Sequence, residues 1–376
     1  MIVVAPGAFK GALSPAEAAR AIAAGLRLVL PGAEVRAVPV ADGGEGTADA
    51  LVASAGGRRR MVDALDPLGR PIRATLGELP GHTAVVELAQ ASGYERLADG
   101  ERDPERAGTF GTGLLIRAAL DLGATTILVG LGGSATTDGG LGLAIALGVR
   151  ALDAEGTPLE GVGADMGRVA RLDPAALDPR LAGVTIRVAC DVANPFHGPD
   201  GAAHVFGPQK GADPAAVARL DAGLERLADV LAGATGVDVQ ALPGSGAAGG
   251  AAGALAALFG AELVPGAPLV LEALGMAGHL DGATLCVTGE GSLDATSLSG
   301  KAPAAVAAMC AERGIPCVAL CGAIGLGPRA LAEAGFTAAF PIGQVPRRLP
   351  DALAAAESDL ARAAASLGRL WGAAAT

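Results

Sequence analysis

Short apolar runs alternate with stretches of helical period at the beginning of the chain. Residues 2–5 are continuously apolar and predict a strand. Residues 14–17, Ser-Pro-Ala-Glu, have the pattern of a capped helix start, so we expect a helix from there to about Leu30. A second strand at 35–40 and a second helix that ends at Gly56 complete a βαβα beginning.

The same alternation returns near the other end, where three apolar runs are each followed by a helical pattern. With the two strands at the beginning, they predict an α/β fold with a flavodoxin-like, doubly wound parallel sheet of strand order 2-1-3-4-5. The strands are expected at residues 284–288, 317–321 and 338–342, and the helices at 302–313, from 328 onward, and at 350–370.

The middle of the chain is then expected to form a large inserted second α/β domain. Residues 58–86 indicate short antiparallel strands with turns at 66–69 and 80–81, followed by a helix at 111–122 and a strand at 126–131. We place the boundaries near 64 and 283, so that residues 1–64 plus 283–376 form the flavodoxin-like domain and residues 65–282 the inserted one.

The net charge of the chain limits the classes of partner that it is expected to bind. A net charge of −11 and a pI near 4.9 argue against a nucleic-acid or anionic membrane surface. The first residues have no basic lead and no long apolar segment, so we expect a cytoplasmic protein. Residues 243–261 carry no charge but are mostly Gly and Ala, which favours a tightly packed helix after a glycine loop over a membrane span.

The cysteines and histidines have no spacing typical of a metal site. The five cysteines are an odd number without a Cys-x-x-Cys pair, so we interpret them as reduced core residues. The four histidines are interpreted as loop or surface residues.

Lysine is rare in this chain, since 3 of the 28 lysine and arginine residues are lysines. Lys10, Lys210 and Lys301 all lie beside Gly or Pro in loop-like segments, where an ordinary solvated lysine is less common. We interpret them as candidates to contact phosphate or carboxylate groups; chance survival of a few lysines is the alternative.

Acidic and basic residues gather in the loops after three predicted strands. Lys10 follows the first strand, Asp42 the second, and the segment 289–294, Gly-Glu-Gly-Ser-Leu-Asp, the strand that ends near Thr288. Carboxylates beside lysines and glycine-rich backbone suit Mg²⁺-nucleotide and phosphoryl-transfer chemistry. The alternative is that these glycine-rich segments merely turn the chain.

The segment 130–140, Gly-Leu-Gly-Gly-Ser-Ala-Thr-Thr-Asp-Gly-Gly, lies between an apolar strand and a predicted helix at 141–147. Glycines and hydroxyls before a helix favour a phosphate-binding loop. The segment also matches Gly-x-Gly-x-x-Ala, which with Asp153 would indicate a dinucleotide site, but Asp153 begins an apparent turn, Asp-Ala-Glu-Gly. No Walker A sequence is present, because Ala302 follows Gly300-Lys301.

A third group of polar residues follows the apolar run at 184–189. Asp191 is expected at a strand end facing a loop, which suits a general base or a ligand of a substrate hydroxyl. Asn194, the single asparagine of the chain, lies three residues further on. The alternative is an Asx-type turn capped by these two residues.

Taken together, these segments resemble the bacterial ATP-dependent glycerate kinases of type I. The resemblance implies a flavodoxin-like domain, a second domain with a restriction-endonuclease-like core, ATP and Mg²⁺ as cofactors, and D-glycerate as substrate. A homodimer is left open. The matching blocks are residues 5–14, 40–47, 66–69, 110–113, 130–140, 189–195, 205–212 and 288–303.

With this resemblance, we assign roles to the candidate residues as hypotheses. The catalytic candidates are Asp191 as the base, Lys10, Asp42 and Lys301. The phosphate and nucleotide candidates are Gly132, Gly133, Ser134, Thr136, Asp138 and Lys210. The substrate-binding candidates are Asn194, Glu290 and Ser292, and the metal candidates are Asp42, Glu290 and Asp294.

The chain departs from the family's usual pattern at a few positions. Gly7 and Ala8 stand where the family usually has Asp-Ser, and Thr137, Phe110 and Ser292 replace a usual Asn, Tyr and Arg. We expect phosphorylation of D-glycerate to 2-phosphoglycerate. The alternatives are a 3-kinase, a non-catalytic hydroxy-acid or nucleotide sensor suggested by Gly7-Ala8, and, least favoured, a dinucleotide-dependent oxidoreductase.

Overall fold

A computed structural model describes residues 1–41, 46–98, 100–298 and 300–374. The chain divides into two compact units. The discontinuous unit comprises Met1–Asp42 and Gly266–Thr376, and the continuous unit comprises Gly43–Pro265.

The elements in the described ranges are fifteen strands and thirteen α-helices, joined by loops and short 3₁₀ turns. The strands are β1 Ile2–Val4, β2 Val35–Ala37, β3 Arg58–Leu65, β4 Pro71–Leu79, β5 Thr83–Glu87, β6 Thr126–Gly130, β7 Arg150–Leu152, β8 Arg171–Asp173, β9 Thr185–Ala189, β10 Glu262–Val264, β11 Leu285–Thr288, β12 Ser292–Leu293, β13 Cys317–Cys321, β14 Ala323–Ile324 and β15 Ala338–Pro341. The helices are α1 Pro15–Val29, α2 Thr47–Ala55, α3 Ala89–Ser92, α4 Phe110–Asp121, α5 Leu141–Ala146, α6 Ala202–Phe206, α7 Pro214–Thr235, α8 Ala251–Phe259, α9 Gly266–Ala273, α10 Met276–Leu280, α11 Ala302–Glu312, α12 Pro328–Glu333 and α13 Leu349–Ala374.

The discontinuous unit is built on a five-stranded parallel sheet. Its order is β15-β13-β11-β1-β2, which is the predicted order 2-1-3-4-5. Helix α1 begins with the predicted capping box of Ser14 and Glu17, and it packs along α13. Apolar residues of β1, β11, β13 and these two helices form one buried core.

The continuous unit is built on a six-stranded mixed sheet of order β10-β9-β6-β5-β4-β3. Strands β3, β4 and β5 pair antiparallel, as predicted from the turns between them, and the remaining pairs are parallel. Because β6 and β9 are parallel neighbours in register, the loops that follow Gly130 and Ala189 start side by side.

The division between the units differs from the sequence-based boundaries near 64 and 283. Strand β3 pairs with β4 over its whole length, so the chain has entered the continuous unit before residue 64. Helices α9 and α10 pack with each other and α9 packs on α11, so the chain has left that unit before residue 283. Neither the strand pairing nor the helix packing can be predicted from the local pattern of hydrophobic and polar residues.

The uncharged segment at 243–261 contains a packed helix after a glycine loop, as predicted. At Gly140, where φ is +75°, an added Cβ would lie 2.5 Å from the Cβ of Ala254 on α8. Only glycine combines this backbone conformation with so close an approach. Among the described helices, none is long and apolar enough to span a membrane.

Candidate active site

In the discontinuous unit, the structure brings together the loops that follow β1 and β11. The N–H of Gly7 donates a hydrogen bond to the carbonyl of Gly289 at 2.8 Å, and the hydroxyl of Thr288 donates to the carbonyl of Ala5 at 2.7 Å. A Cβ on Gly291 would lie 3.5 Å from the backbone nitrogen of Lys10. The predicted neighbourhood of Lys10 and the 289–294 segment is therefore present.

The beginning of α11 reaches the same loops. Lys301 directly precedes this helix, and its Nζ lies 3.8 Å from the Oε2 of Glu290. Glu290 is buried, whereas Lys301 is half-buried and Lys10 is exposed. Pro303 of α11 lies 3.5 Å from where a Cβ on Gly7 would be. One buried carboxylate and two ammonium groups thus belong to one set of loops.

Asp294 is held in an ionised form within this set. Its carboxylate accepts hydrogen bonds from the Thr296 hydroxyl at 2.6 Å, the Thr296 N–H at 2.9 Å and the Ser292 hydroxyl at 3.2 Å. The hydrogen bonds from Thr296 are the main cause that lowers the pKa of Asp294, and the positive charge of Lys301 lowers it further. Glu290 and Asp294 offer the hard oxygen donors that Mg²⁺ takes. Asp42, with the rest of the segment 42–45, lies outside the described residues.

In the continuous unit, the loop after β6 has an exposed tip at Gly132 and Gly133. Within the described residues, the N–H groups of these two glycines donate to no protein acceptor. Further along, the N–H of Ala135 donates to the carbonyl of Ser92 at 2.9 Å, and the N–H of Thr136 donates to the Ser134 hydroxyl at 3.2 Å. The N–H groups of this exposed tip are therefore available to bind an anion.

Asp138 anchors this loop from inside the protein. Its side chain is fully buried, and its two oxygens accept hydrogen bonds from the N–H and hydroxyl of Thr109, both at 2.7 Å, and from the N–H groups of Gly140 and Gly142, both at 3.1 Å. Burial raises the pKa of this carboxyl, and the donated bonds oppose the rise. All these partners are protein groups, which favours a positioning role over direct contact with a ligand.

Lys210 is buried under the same loop. Its side chain is 2% exposed, and its Nζ donates a hydrogen bond to the carbonyl of Thr136 at 2.5 Å. Burial lowers the pKa of Lys210 to about 7, and the charge of Asp138 opposes this shift. Lys210 therefore contacts the loop from the protein interior. The sequence had instead predicted that it lies in an open loop and contacts phosphate.

Asp191 and Asn194 lie in the loop after β9, next to the loop after β6. Asp191 is exposed. The Nδ2 of Asn194 donates to the carbonyl of Asp200 at 2.8 Å, and the Asn194 carbonyl accepts from the N–H of Gly246 at 3.1 Å. Asn194 therefore ties its loop to a neighbouring segment and does not cap an Asx turn on itself.

Thr109 is a positioning residue that the sequence analysis missed. It is fully buried, and besides its two bonds to Asp138 its hydroxyl accepts the N–H of Leu143 at 2.9 Å. It lies 29 residues before Asp138 in sequence, so no local motif connects them. The one available signal was its place directly before the 110–113 block.

The dinucleotide interpretation finds no support in the position of Asp153. This residue follows β7, which pairs antiparallel with β8 in a separate two-stranded sheet. Its carboxylate accepts the N–H groups of Glu155 and Thr157, which makes the predicted turn. A dinucleotide site needs its acidic residue at the end of the neighbouring parallel strand.

Comparison with known proteins decides the family. The model of the glycerate kinase family matches residues 2–372. The chain belongs to the glycerate kinase family. The resemblance stated from the sequence is therefore confirmed, and membership of the glycerate kinases implies the use of ATP.

Named glycerate kinases match almost the full length of the chain. It is 42% identical over 370 residues to a glycerate kinase of Halalkalibacterium halodurans, covering 97% of both proteins. It is 41% identical over 367 residues to the glycerate 2-kinase of Escherichia coli, covering 97% of this chain and 96% of the relative. A crystal structure of a protein assigned as glycerate kinase 2 from Salmonella typhimurium LT2 superposes with a TM-score of 0.91 at 40% identity, covering 99% and 98% of the two chains.

Proposed function

We propose that this chain transfers the terminal phosphoryl group of ATP to D-glycerate and forms 2-phosphoglycerate. The observation that carries the proposal is the nearly full-length match to a relative that is named glycerate 2-kinase. Transfer to the terminal hydroxyl, which would make a glycerate 3-kinase, is the alternative that analysis of the product separates.

The exposed tip of the loop after β6 is the part we assign to the nucleotide phosphates. The N–H groups of Gly132 and Gly133 are available donors, and the hydroxyls of Ser134 and Thr136 lie 3.1 Å apart directly after them. Asp138 and Lys210 hold the rest of the loop in one conformation. Donors fixed in this way need not reorganise when charge shifts during transfer.

We further propose Mg²⁺ as a cofactor of the discontinuous unit's cluster. Glu290 and Asp294 would hold the ion, with Asp42 as a third candidate. When bound, the ion supplies positive charge that neutralises the phosphate oxygens. The lowered pKa of Asp294 keeps this side chain ionised at neutral pH, as a metal ligand must be.

Lys10 and Lys301 supply positive charge from the same set of loops. An ammonium group beside the transferred phosphoryl group, or beside the carboxylate of glycerate, lowers the energy of the charge that develops there. The Lys301 to Glu290 separation of 3.8 Å is consistent with a weak ion pair that a ligand can replace. Ser292 and Glu290 stay candidates for contacts to the substrate.

Asp191 is our candidate for the general base. An exposed carboxylate at the end of a central strand can accept the proton of the attacking hydroxyl. Asn194 fixes the loop that carries Asp191 through its bond to the Asp200 carbonyl, and it stays a candidate for substrate binding.

For the fold, we propose that the two units are the two domains of this enzyme. The strand order of the discontinuous unit supports the flavodoxin-like description. The restriction-endonuclease-like description of the continuous unit follows from the family resemblance.

The experiment that tests the activity is ADP release from MgATP with purified protein. We expect release that depends on D-glycerate, is far slower with L-glycerate, and stops when EDTA removes Mg²⁺. Binding of D-glycerate or ATP by calorimetry without any ADP release would instead support the sensor that the Gly7-Ala8 pair suggested.

A further inference from the structure

Three buried cysteines from three elements of the discontinuous unit meet in its core. Cys286 lies on β11, Cys310 on α11 and Cys317 on β13. Their Sγ atoms all lie within 4.8 Å of one another, and each residue is 0% exposed. Cys286 and Cys317 are direct neighbours in the register of the two parallel strands, and α11 packs on both strands.

The cluster consists of reduced thiols. All five cysteines of the chain are free, so no disulfide accounts for the close approach. Three sulfurs around one ion with metal–sulfur bonds of about 2.3 Å stand roughly 4 Å apart. The upper limit of 4.8 Å on the separations of these Sγ atoms is within about 1 Å of that spacing. The backbone already holds them on one side of the sheet and the facing helix.

We propose that Cys286, Cys310 and Cys317 form a three-thiolate site for a thiophilic divalent metal ion. Soft thiolate ligands select soft and borderline ions over Mg²⁺. In the described part of the chain, no fourth Cys, His, Asp or Glu joins the group. The site therefore offers three sulfur ligands, one fewer than a structural Zn²⁺ site usually has, and the thiophilic Cd²⁺ is a suitable probe ion.

Binding of a divalent ion at this cluster releases protons, because thiolate is the form of cysteine that ligates a metal. The protons of the three thiols leave to solvent and three thiolates surround the ion, so the occupied cluster carries a net charge of −1.

This site is separate from the proposed phosphoryl-transfer chemistry, which uses oxygen donors and ammonium groups. Cys286 lies on β11, before the loop that carries Glu290 and Asp294, and Cys317 is the first residue of β13. A bound ion would link α11 to the two central strands β11 and β13. Because the ion binds the folded state alone, it would stabilise that state by mass action.

The test is Cd²⁺ binding by the full chain under a non-thiol reductant. We expect one Cd²⁺ per chain by native mass spectrometry, an ultraviolet thiolate-to-cadmium charge-transfer band, and a higher melting temperature. Long incubation, or refolding of the full chain with Cd²⁺ present, allows for the buried position of the site.

Variants assign the ion to the cluster. Cys310→Ala and Cys317→Ala should each lose the band, whereas the matched control Cys321→Ala, four residues further on the same strand and equally buried, should keep it. Cys190→Ser, in the continuous unit, should also keep it. If wild-type protein shows no band and no bound Cd²⁺, or if Cys310→Ala and Cys317→Ala both keep the band, the proposal is wrong. The wild-type result stands even if one variant does not fold.

Discussion

Water reaches several charged candidates of the discontinuous unit, whereas two charged candidates of the continuous unit are buried among protein groups. In the discontinuous unit, Lys10 is exposed and Asp294 and Lys301 are half-buried, so water can solvate them. In the continuous unit, Asp138 and Lys210 are almost fully buried, and protein groups satisfy them. Loss of a solvated group should therefore reduce activity alone, whereas loss of a buried partner should reduce stability as well.

The largest effect is expected at Asp191, an exposed residue within the continuous unit. Asp191→Asn removes the proposed base and should lower kcat by about 10²- to 10⁴-fold. The side chain is exposed, and thermal melts of the variant and the wild type check that the fold is kept. The matched control is Asp200→Asn, another exposed carboxylate in the same region, which should keep its kcat. Near-normal turnover of Asp191→Asn would remove Asp191 from the mechanism.

The next effect is expected at Lys301 in the discontinuous unit. Lys301→Met removes a positive charge proposed to act in the transition state, so kcat/KM should fall by about 10²- to 10³-fold. Lys301→Arg, which keeps the charge, should recover part of this loss. Steady-state kinetics measure the loss of kcat/KM, and a thermal melt checks that the stability of the fold is unaffected. A large drop in melting temperature would mean that this cluster is structural and that the contrast between the units is wrong.

Thr109→Val tests the expectation that loss of a buried hydrogen-bond partner reduces stability. The valine leaves an oxygen of Asp138 and the N–H of Leu143 without their hydroxyl partner. The Asp138 oxygen keeps its bonds from the N–H groups of Thr109 and Gly142, so only the Leu143 N–H is left unsatisfied, and we expect the free energy of unfolding to fall by about 1–3 kcal/mol. Urea denaturation measures this change, and Thr109→Ser, which keeps the hydroxyl, should lose much less. At the exposed Ser292, Ser292→Ala should stay within about 0.5 kcal/mol of wild type.

Lys210 should make stability depend on pH. Its pKa is about 7 in the folded protein and near 10.5 when unfolded, so between these values the unfolded state binds more protons. This lysine's contribution to the free energy of unfolding should therefore rise with pH above 7, by at most about 1.4 kcal/mol per pH unit. Below pH 7 both states are protonated and the slope vanishes. Denaturation of wild type and Lys210→Met across this pH range measures the contribution of Lys210 to the free energy of unfolding. If the two plots of unfolding free energy against pH are parallel, the pKa of Lys210 is not shifted.

A smaller effect on stability than at Thr109 is expected at the tip of the loop after β6. At Gly133, φ is +73°, so Gly133→Ala should cost about 1 kcal/mol of backbone strain. Gly156→Ala, at φ +84° in the turn of Asp153, should cost a similar backbone strain, without the 3.1 Å approach to the Cβ of Ala89 that an added methyl group at Gly133 makes. Only Gly133→Ala should also raise the KM for ATP. Equal KM values for the two variants would argue against phosphate binding at this tip.

Local signals in the sequence were enough for most of the fold. The capping box of Ser14 and Glu17 is contained in four residues, and the apolar runs of the parallel strands are continuous, so each could be found alone. The order of the five strands followed from general rules of chain connection. The unit boundaries could not be found in this way, because they depend on which distant element each segment packs against.

The neighbourhood of the candidate residues was predictable only where loops follow strands. Parallel strands end at one edge, and this placed Lys10 beside the 289–294 segment. The buried contacts join positions far apart in sequence, such as Lys210 and Thr136 at a separation of 74 residues. For the same reason the cysteines were interpreted as separate core residues, although three of them meet.

The most direct test of the proposed function is phosphorus NMR of the product formed from D-glycerate and MgATP by the purified protein. We predict a new phosphomonoester signal whose phosphorus couples to a single proton, as in 2-phosphoglycerate. Coupling to a pair of protons would identify the 3-phosphate and contradict the proposed position of transfer. An unchanged spectrum from correctly folded protein, with ATP intact, would contradict the kinase itself.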